Sequence, residues 1–334
     1  IDGMGARGYA AGFARQIYQQ TLGLREYGFP ESHSASFALL VYVSAWLKRY
    51  EPAAFCAALL NSLPMGFYGP SQLVADARRH GVEVRPADVT AREWDCTLEN
   101  PALRLGLRLV SGLAEAAAQR IVDARQEAPF ASVADLAHRA RLDRRDLACL
   151  AEADALAALA GHRHGAAWDV AGIERLPALL AGSVFDEADP ALPPPTEGQD
   201  IVADYRTLSF TLRRHPLALL RGQLTRRRLV TAAEIGEAPQ GRIVRTAGIV
   251  IGRQRPDTAS GVVFVTLEDE TGATNVIVWR DVGERQRREL LGAKLLAVFG
   301  KVEREGQVVH LIAGRLADLS PLLGDLQTRS RDFH

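Results

Sequence analysis

The sequence predicts a multidomain α+β protein, helical over most of its first half and closed at the C-terminal end by an all-β barrel. Apolar residues recur at helical spacing in residues 1–80 and 110–170. Residues 241–320 alternate with period two, which is typical of strands. A stretch rich in proline and acidic residues, 186–200, separates the two patterns and reads as a linker.

Composition restricts the class of protein. A chain of 334 residues predicts about two or three domains. With 47% hydrophobic and 24% charged residues, it is too apolar to be wholly disordered. The longest apolar run, 34–47, is too short to span a membrane. The chain opens on Ile1 without a signal peptide, so we expect a fragment of a larger protein.

Cysteine and charge distribution add two expectations. The three cysteines are far apart and form no CxxC pair, which favours a reducing, cytoplasmic setting without structural zinc. The formal net charge is +0, which neither favours nor excludes nucleic acid. Six acidic residues and no basic one lie in 186–204, whereas seven arginines and no acidic residue lie in 205–230. Neutrality therefore conceals an acidic linker joined to a basic segment.

The first helical block, 1–81, contains three predicted helices after residue 30. Tyr27 to Pro30 breaks an earlier helical pattern, and Ser32 or Ser34 can cap a helix that runs to about Tyr50. Pro52 and Pro70 suit the first turns of the next two helices, because proline lacks the amide hydrogen that would be unpaired there. These helices end near Ser62 and at Gly81.

Residues 82–180 form the next predicted domain. Short alternating stretches at 82–84, 96–98 and 105–109, with a turn at Asn100-Pro101, predict a small β-element. Helical segments follow at 116–125, 133–140 and 142–159.

A DNA-binding hairpin is predicted at Ser111, Gly112, Leu113 and Ala114, because the stretch resembles a helix-hairpin-helix. In that motif, amides at a helix start face a phosphate. The usual second glycine is Ala114 here, and an ordinary packing turn is the alternative. A looser copy spans 142–156, where Asp154 would repel phosphate, so this second hairpin is expected to be structural.

Residues 241–320 have the element order of an OB-fold barrel. Strands are predicted at 243–250, 262–267 and 274–279, then a polar helix at 281–291, then strands at 295–302 and 308–313. Such barrels bind single strands with aromatic side chains and basic groove walls. The predicted single-strand residues are Arg253, Arg255, Phe264, Trp279 and Lys301. For either aromatic residue, core packing is the competing interpretation.

Other candidates have ordinary structural explanations. Glu268, Asp269 and Glu270 resemble a metal cluster, but a charged hairpin end with a turn at Asp269 explains them better. His33 lies between two serines at a helix start, where it could face an anion, and His215 is ambiguous between a structural and a binding role. No nucleotide-binding glycine motif, HExxH or GxSxG is present, and no carboxylate pair suits two-metal chemistry.

Several long motifs resemble the bacterial C-family DNA polymerases. Residues 27–38 (YGFPESHSASFA) are very similar to the fingers of these replicative alpha-subunit enzymes. The form PESH, where replicative enzymes have a Lys-Ser-His pattern, resembles the error-prone, translesion branch (ImuC type). The other motifs that support the resemblance lie at 44–48, 52–55, 57–62, 64–68, 252–256, 267–272 and 330–334.

The resemblance implies a domain layout. We expect the end of the polymerase fingers in 1–81 and a small β-element with a tandem helix-hairpin-helix domain in 82–180. A linker in 181–240, an OB-fold domain in 241–320 and a C-terminal tail in 321–334 complete the layout. The resemblance also implies that the palm, with its catalytic aspartates and Mg²⁺, lies outside this chain, so the fragment alone is expected to be inactive. It places Ser32 and His33 on the incoming-nucleotide side.

The resemblance also suggests partners. Replicative relatives carry a sliding-clamp peptide between the hairpin and OB domains, and the comparable stretch here keeps Phe185, next to Val184, but lacks its glutamine. The clamp is therefore expected to act indirectly, through an accessory Y-family-like protein. DNA in the form of primer-template and single-stranded template is the expected substrate. A non-catalytic scaffold that docks proteins is the rival interpretation, because fold alone does not decide function. A free single-strand-binding protein is disfavoured by the long helical block.

Overall fold

The computed structural model describes residues 8, 10, 12–13, 15–18, 31–65, 68–91, 93–173, 191–256, 261–306, 308–328 and 330–333. The side chains of 31–33 and 331–333 are outside that description.

Between residues 31 and 81, the structure describes three helices, and the proline positions predict the second and third of them. Helix α1 spans Glu31–Tyr50, α2 spans Pro52–Asn61 and α3 spans Pro70–Arg79. Because α1 begins at Glu31, Ser32 and Ser34 lie within the helix rather than at its cap. The exposed apolar side chains of α1 are Phe37, Leu39, Leu40, Val41, Tyr42, Val43, Trp46 and Tyr50.

A three-stranded sheet links these helices to the next block. Its strands are β1 (Val84–Arg85), β2 (Thr97–Glu99) and β3 (Ala102–Arg104), in the order β1-β3-β2. The predicted strand at 105–109 is wrong, since Leu107–Leu109 forms a 3₁₀ turn. The chain leaves the sheet at Gly106, where a Cβ atom would lie 2.3 Å from the carbonyl oxygen of Trp94.

Five helices then pack around one apolar core. They are α4 (Glu115–Glu127), α5 (Val133–Arg139), α6 (Arg144–Glu152), α7 (Ala157–Ala160) and α8 (Arg163–Gly172). The core continues into α2, α3 and the small sheet, so these elements form one packed unit. Its largest fully buried side chains include Leu60, Leu103, Leu105, Leu107, Ile121, Leu136, Leu150 and Leu156.

The described part of the predicted linker, 191–240, is largely helical, which corrects the prediction. It contains α9 (Glu197–Thr207), α10 (Pro216–Arg226) and α11 (Ala232–Glu237). Capping boxes at Thr196 and Thr231 start α9 and α11. The apolar side chains Ile201, Leu217, Leu224 and Leu229 from this segment pack on the outside of the following barrel. The acidic and proline residues at the start of this segment are typical of a linker. The apolar residues further along it are what make it fold.

The barrel confirms the predicted OB-type strand order. Strands β4 (Ile243–Gln254), β5 (Val263–Asp269), β6 (Gly272–Val278), β7 (Leu295–Glu305) and β8 (Val308–Asp318) pair in the order β5-β6-β8-β7-β4. Pairing of β4 with β5 closes the barrel. Strand β9 (Arg331–Phe333) adds in parallel to β4.

The predicted helix at 281–291 is two short helices, α12 (Arg280–Arg285) and α13 (Arg287–Gly292). They meet at Gln286, whose side-chain amide exchanges two hydrogen bonds with the backbone of Leu316 in β8, at 2.8 and 2.9 Å. Both backbone groups of Leu316 are thereby paired, which ties the helical connection to the barrel wall.

Candidate nucleic-acid interface

The predicted DNA-binding hairpin forms a tight turn immediately before α4. Gly112 has φ +86, and a Cβ atom there would approach the sulfur of Cys149 to 3.0 Å, so glycine fits both the backbone and the space. Leu113 is buried and anchors the turn in the core, whereas Ser111, Gly112 and Ala114 are exposed. The Ser111 amide donates to the carbonyl of Thr207 at 2.9 Å, and the Leu113 amide donates to the carbonyl of Val110 at 3.3 Å, so both are paired within the chain.

The first turn of α4 offers open donors. Ala114 is its N-cap and has no side-chain acceptor, and the amides of Glu115 and Ala116 have no acceptor among the residues that the structure describes. Open amides and the helix dipole together attract anions. The exposed carboxylate of Glu115 lies at the same turn, so part of this attraction is offset.

The polar groups of the second hairpin, at 142–156, are bonded within the chain. Asp154 has φ +62, and its carboxylate accepts a hydrogen bond from Arg213 at 2.9 Å. The amide of Ala155 donates to the carbonyl of Leu150, and its carbonyl accepts from Val89. This copy therefore faces its own chain, in line with the structural role expected for it.

A buried ion-pair network, which sequence reasoning missed, ties the five-helix block to α9. Arg163, with 8% of its side chain exposed, pairs with Asp200 and Asp204. Arg213 pairs with Asp200, Asp204 and Asp154 at 2.9–3.0 Å. The sequence places Asp200 and Asp204 in a linker, and their spacing by four is the available signal that they share a helix face.

Two of the predicted aromatic residues lie together on the barrel surface. Phe264 on β5 pairs in register with Ile277 on β6, and Trp279 lies two residues beyond Ile277, on the same side. The exposed fractions of Phe264 and Trp279 are 38% and 51%. Arg255 is exposed just after Gln254, the β4 partner of Phe264. We call Phe264 and Trp279 the aromatic face; Arg255 follows the strand that borders it.

Arg253 lies apart from this face, inside the structure. Its guanidinium donates to the carbonyls of Leu290 and Ala293 at 2.7 and 2.6 Å and to the hydroxyl of Ser330 at 2.8 Å. Only 6% of the residue is exposed. A strand contact by Arg253 stays a prediction that this geometry disfavours, because the side chain holds the end of α13. The period-two pattern does not predict that Arg253 is buried, because a β-bulge between Val250 and Gly252 shifts the register of β4.

Lys301 is exposed on β7, on a different side of the barrel, opposite Ile243 and Ile312. It does not join the aromatic face, from which it is separated by β8 and β6.

The acidic triplet is a turn, as expected. Asp269 accepts hydrogen bonds from the amides of Thr271 and Gly272 at 2.7 and 3.1 Å. Arg221 pairs with Asp269 and Glu270. Burial raises the pKa of Glu268.

His215 has a structural role at the start of α10. Its Nδ1 accepts from the amide of Leu217 at 3.2 Å, and burial lowers the pKa of the imidazole to about 4. The ring is therefore neutral near pH 7 and caps the helix as an acceptor.

Four predicted site residues lie outside the described side chains. Ser32 and His33 fall in the first turn of α1, and nothing further is described for them; Val184 and Phe185 fall in 174–190. In the parts of the chain that are described, no group of three metal-ligating side chains occurs. No described helix is long and apolar enough to cross a membrane.

Two domain models and several curated relatives match this chain. A helix-hairpin-helix motif model matches residues 81–166, and an OB-fold nucleic acid binding domain model matches 244–319. Curated relatives named error-prone DNA polymerase match from Azoarcus sp. (59% identity), Methylococcus capsulatus (56%) and Alkalilimnicola ehrlichii (58%). Each match covers 100% of this chain and 32%, 34% and 33% of the respective relative.

The resemblance to the error-prone DNA polymerases is confirmed. The chain matches these relatives over its full length and spans about a third of their length. The helix-hairpin-helix motif model matches the hairpin block and the OB-fold nucleic acid binding domain model matches the barrel, which supports DNA binding by this chain.

Proposed function

We propose that this chain is the DNA-gripping part of an error-prone DNA polymerase that acts in damage-induced mutagenesis and translesion synthesis. The observation that carries the proposal is a hairpin with open helix-start amides and an exposed aromatic face within one chain. Amides at a helix start suit the phosphates of duplex product, and aromatic side chains suit the bases of single-stranded template.

The chemistry of the intact polymerase belongs to the rest of the enzyme. Nucleotidyl transfer there would use two Mg²⁺ ions held by residues outside this chain. Ser32 and His33 would lie on the incoming-nucleotide side. Val184 and Phe185 would dock an accessory Y-family-like protein that connects the cytoplasmic enzyme indirectly to the sliding clamp.

Fluorescence anisotropy with single-stranded, duplex and primer-template DNA, each at two salt concentrations, tests this function. We expect the chain to bind all three, with affinity that falls steeply as salt rises, because phosphate contacts release counterions. Absence of binding to all three at low salt would contradict the proposal and favour the protein-docking scaffold.

Glu115→Gln is expected to strengthen duplex binding, on the order of two- to fivefold at low salt, because a like charge leaves the phosphate site at the start of α4. Glu127→Gln is a matched control, since Glu127 is exposed at the other end of the same helix. Duplex titrations of both variants measure the difference. Equal affinities for the two variants would place the duplex elsewhere.

A further inference from the structure

The barrel carries a second exposed cationic surface, on the outside of β4, β7 and β8. Arg245, Phe299 and Arg315 are in register across these strands. The next outward residues, Ala247 and Ala297, are buried in the cluster that α9 and α10 form on the barrel. Arg245 and Arg315 are exposed beyond that cluster, with Phe299 half-buried between them. We call Arg245, Phe299, Lys301 and Arg315 the Arg–Phe–Arg patch.

The geometry of the patch orients two guanidinium groups. Their central carbons lie 5.3 Å (Arg245) and 5.5 Å (Arg315) from the centroid of the Phe299 ring. Stacking on the ring fixes a guanidinium while its N–H edge stays available for hydrogen bonds. Neither arginine has a carboxylate partner within the described part of the chain. The nearest acidic residue outward along β7 is Glu303, two residues beyond Lys301.

The patch and the aromatic face are connected around the barrel by strand register. Phe264 pairs with Ile277, Ile277 with Ile312, and Ile312 with Lys301. Outward side chains of this row are aromatic, aliphatic and cationic, and none is acidic. Since neighbouring strands lie about 4.8 Å apart, these steps form a short continuous track.

We infer that the Arg–Phe–Arg patch binds the sugar–phosphate backbone of single-stranded DNA that continues from the aromatic face. Exposed guanidinium groups suit phosphate because they can donate two parallel hydrogen bonds to it. Basic side chains follow the backbone and aromatic side chains stack the bases in proteins that bind single strands. The inference rests on the proposed function and adds to it a path across β8 and β7 to β4.

The test uses the full 334-residue chain and fluorescein-labelled oligo-dT long enough to cover both surfaces. The double variant Arg245→Gln/Arg315→Gln is compared with Arg287→Gln/Arg288→Gln, which removes two adjacent arginines from α13 of the same barrel. We expect the patch variant to reduce the slope of log affinity against log salt by about 1.4, because each lost phosphate contact contributes about 0.7 for a single strand. The control is expected to keep the slope of the unaltered chain.

The outcomes separate the patch from the function. If the patch variant and the control have equal salt slopes while Phe264→Ala/Trp279→Ala no longer binds oligo-dT, the path over the patch is overturned. The proposed DNA-binding function is then retained. Absence of oligo-dT and duplex binding by the unaltered chain would overturn the proposed function itself. Competition by polyglutamate as strong as by unlabelled oligo-dT, at equal charge, would show a general anion surface and overturn the assignment to DNA. Weaker competition by polyglutamate would support it.

Discussion

Replacing Arg163 by methionine is expected to lower the free energy of unfolding by about 3–5 kcal/mol, because it leaves buried carboxylates without their partner. Asp204 has 5% of its side chain exposed, and Asp200 has 13%. Arg213 still reaches both, but it is itself shared with Asp154. The guanidinium of Arg163 also donates to the carbonyl of Glu152 at 2.9 Å, so the end of α6 loses an anchor as well.

Urea unfolding followed by circular dichroism measures this effect, and Arg214→Met is the matched control. Arg214 also pairs with a carboxylate of α9, Glu197, but 63% of its side chain is exposed. Solvent screens such a pair, so we expect the control to unfold at nearly the same urea concentration as the unaltered chain. Similar midpoints for both variants would contradict a buried network that stabilises the fold.

A double substitution gives a sharper test of the pair. Arg163→Met/Asp204→Leu removes both charges, and burial of two apolar side chains replaces an ion pair that was costly to desolvate. The double variant is therefore expected to be more stable than the sum of the two single effects indicates. Simple additivity would show that Arg163 and Asp204 act independently.

The network also bears on DNA binding. Arg163 belongs to the region that matches the helix-hairpin-helix motif, and α9 contributes Ile201 to the cluster on the outside of the barrel. The ion pairs thus connect the hairpin block with the helices that hold the barrel. In Arg163→Met we expect the affinity for primer-template DNA to fall more than the affinity for single-stranded or for duplex DNA. Only primer-template DNA needs the hairpin and the aromatic face in one fixed arrangement.

Local sequence rules predicted the elements well where one residue decides the geometry. Pro52 and Pro70 start α2 and α3 because their missing amide hydrogens cost nothing in a first helical turn. Period-two alternation predicted the five barrel strands because one face of each strand packs into the interior. Both signals act within a few residues, so no long-range information was needed.

The failures come from contacts between distant segments. From the sequence alone, Asp200 and Asp204 are predicted to be linker charges, because their partner Arg163 lies about 40 residues earlier in the chain. Arg245, Phe299 and Arg315 belong to three strands, and only the register brings them together. The strand pairing that makes the Arg–Phe–Arg patch is therefore beyond what composition or spacing can show.

Arg253 and Arg255 illustrate the same limit at a spacing of two residues. Both were predicted to contact a single strand, and the structure gives them opposite environments. Arg253 is 6% exposed and bound to the end of α13, whereas Arg255 is exposed beyond β4. Their substitution should therefore affect different properties of the protein.

Arg253→Met is expected to lower the free energy of unfolding by about 3 kcal/mol, because three hydrogen bonds from a charged donor are lost and two carbonyls at the end of α13 lose their partner. A positive group near a helix C-terminus also offsets the dipole, which the substitution removes. The folded fraction of this variant should bind oligo-dT with unchanged affinity and salt dependence, since the side chain does not reach the surface.

Arg255→Met should give the reverse result. We expect its urea midpoint to match that of the unaltered chain, and its salt slope with oligo-dT to fall by about 0.7, the value for one phosphate contact on a single strand. Measuring both properties on both variants separates a structural arginine from a contact arginine without depending on either value alone. A loss of oligo-dT affinity and salt slope in fully folded Arg253→Met would contradict the structural role and support a DNA contact by Arg253.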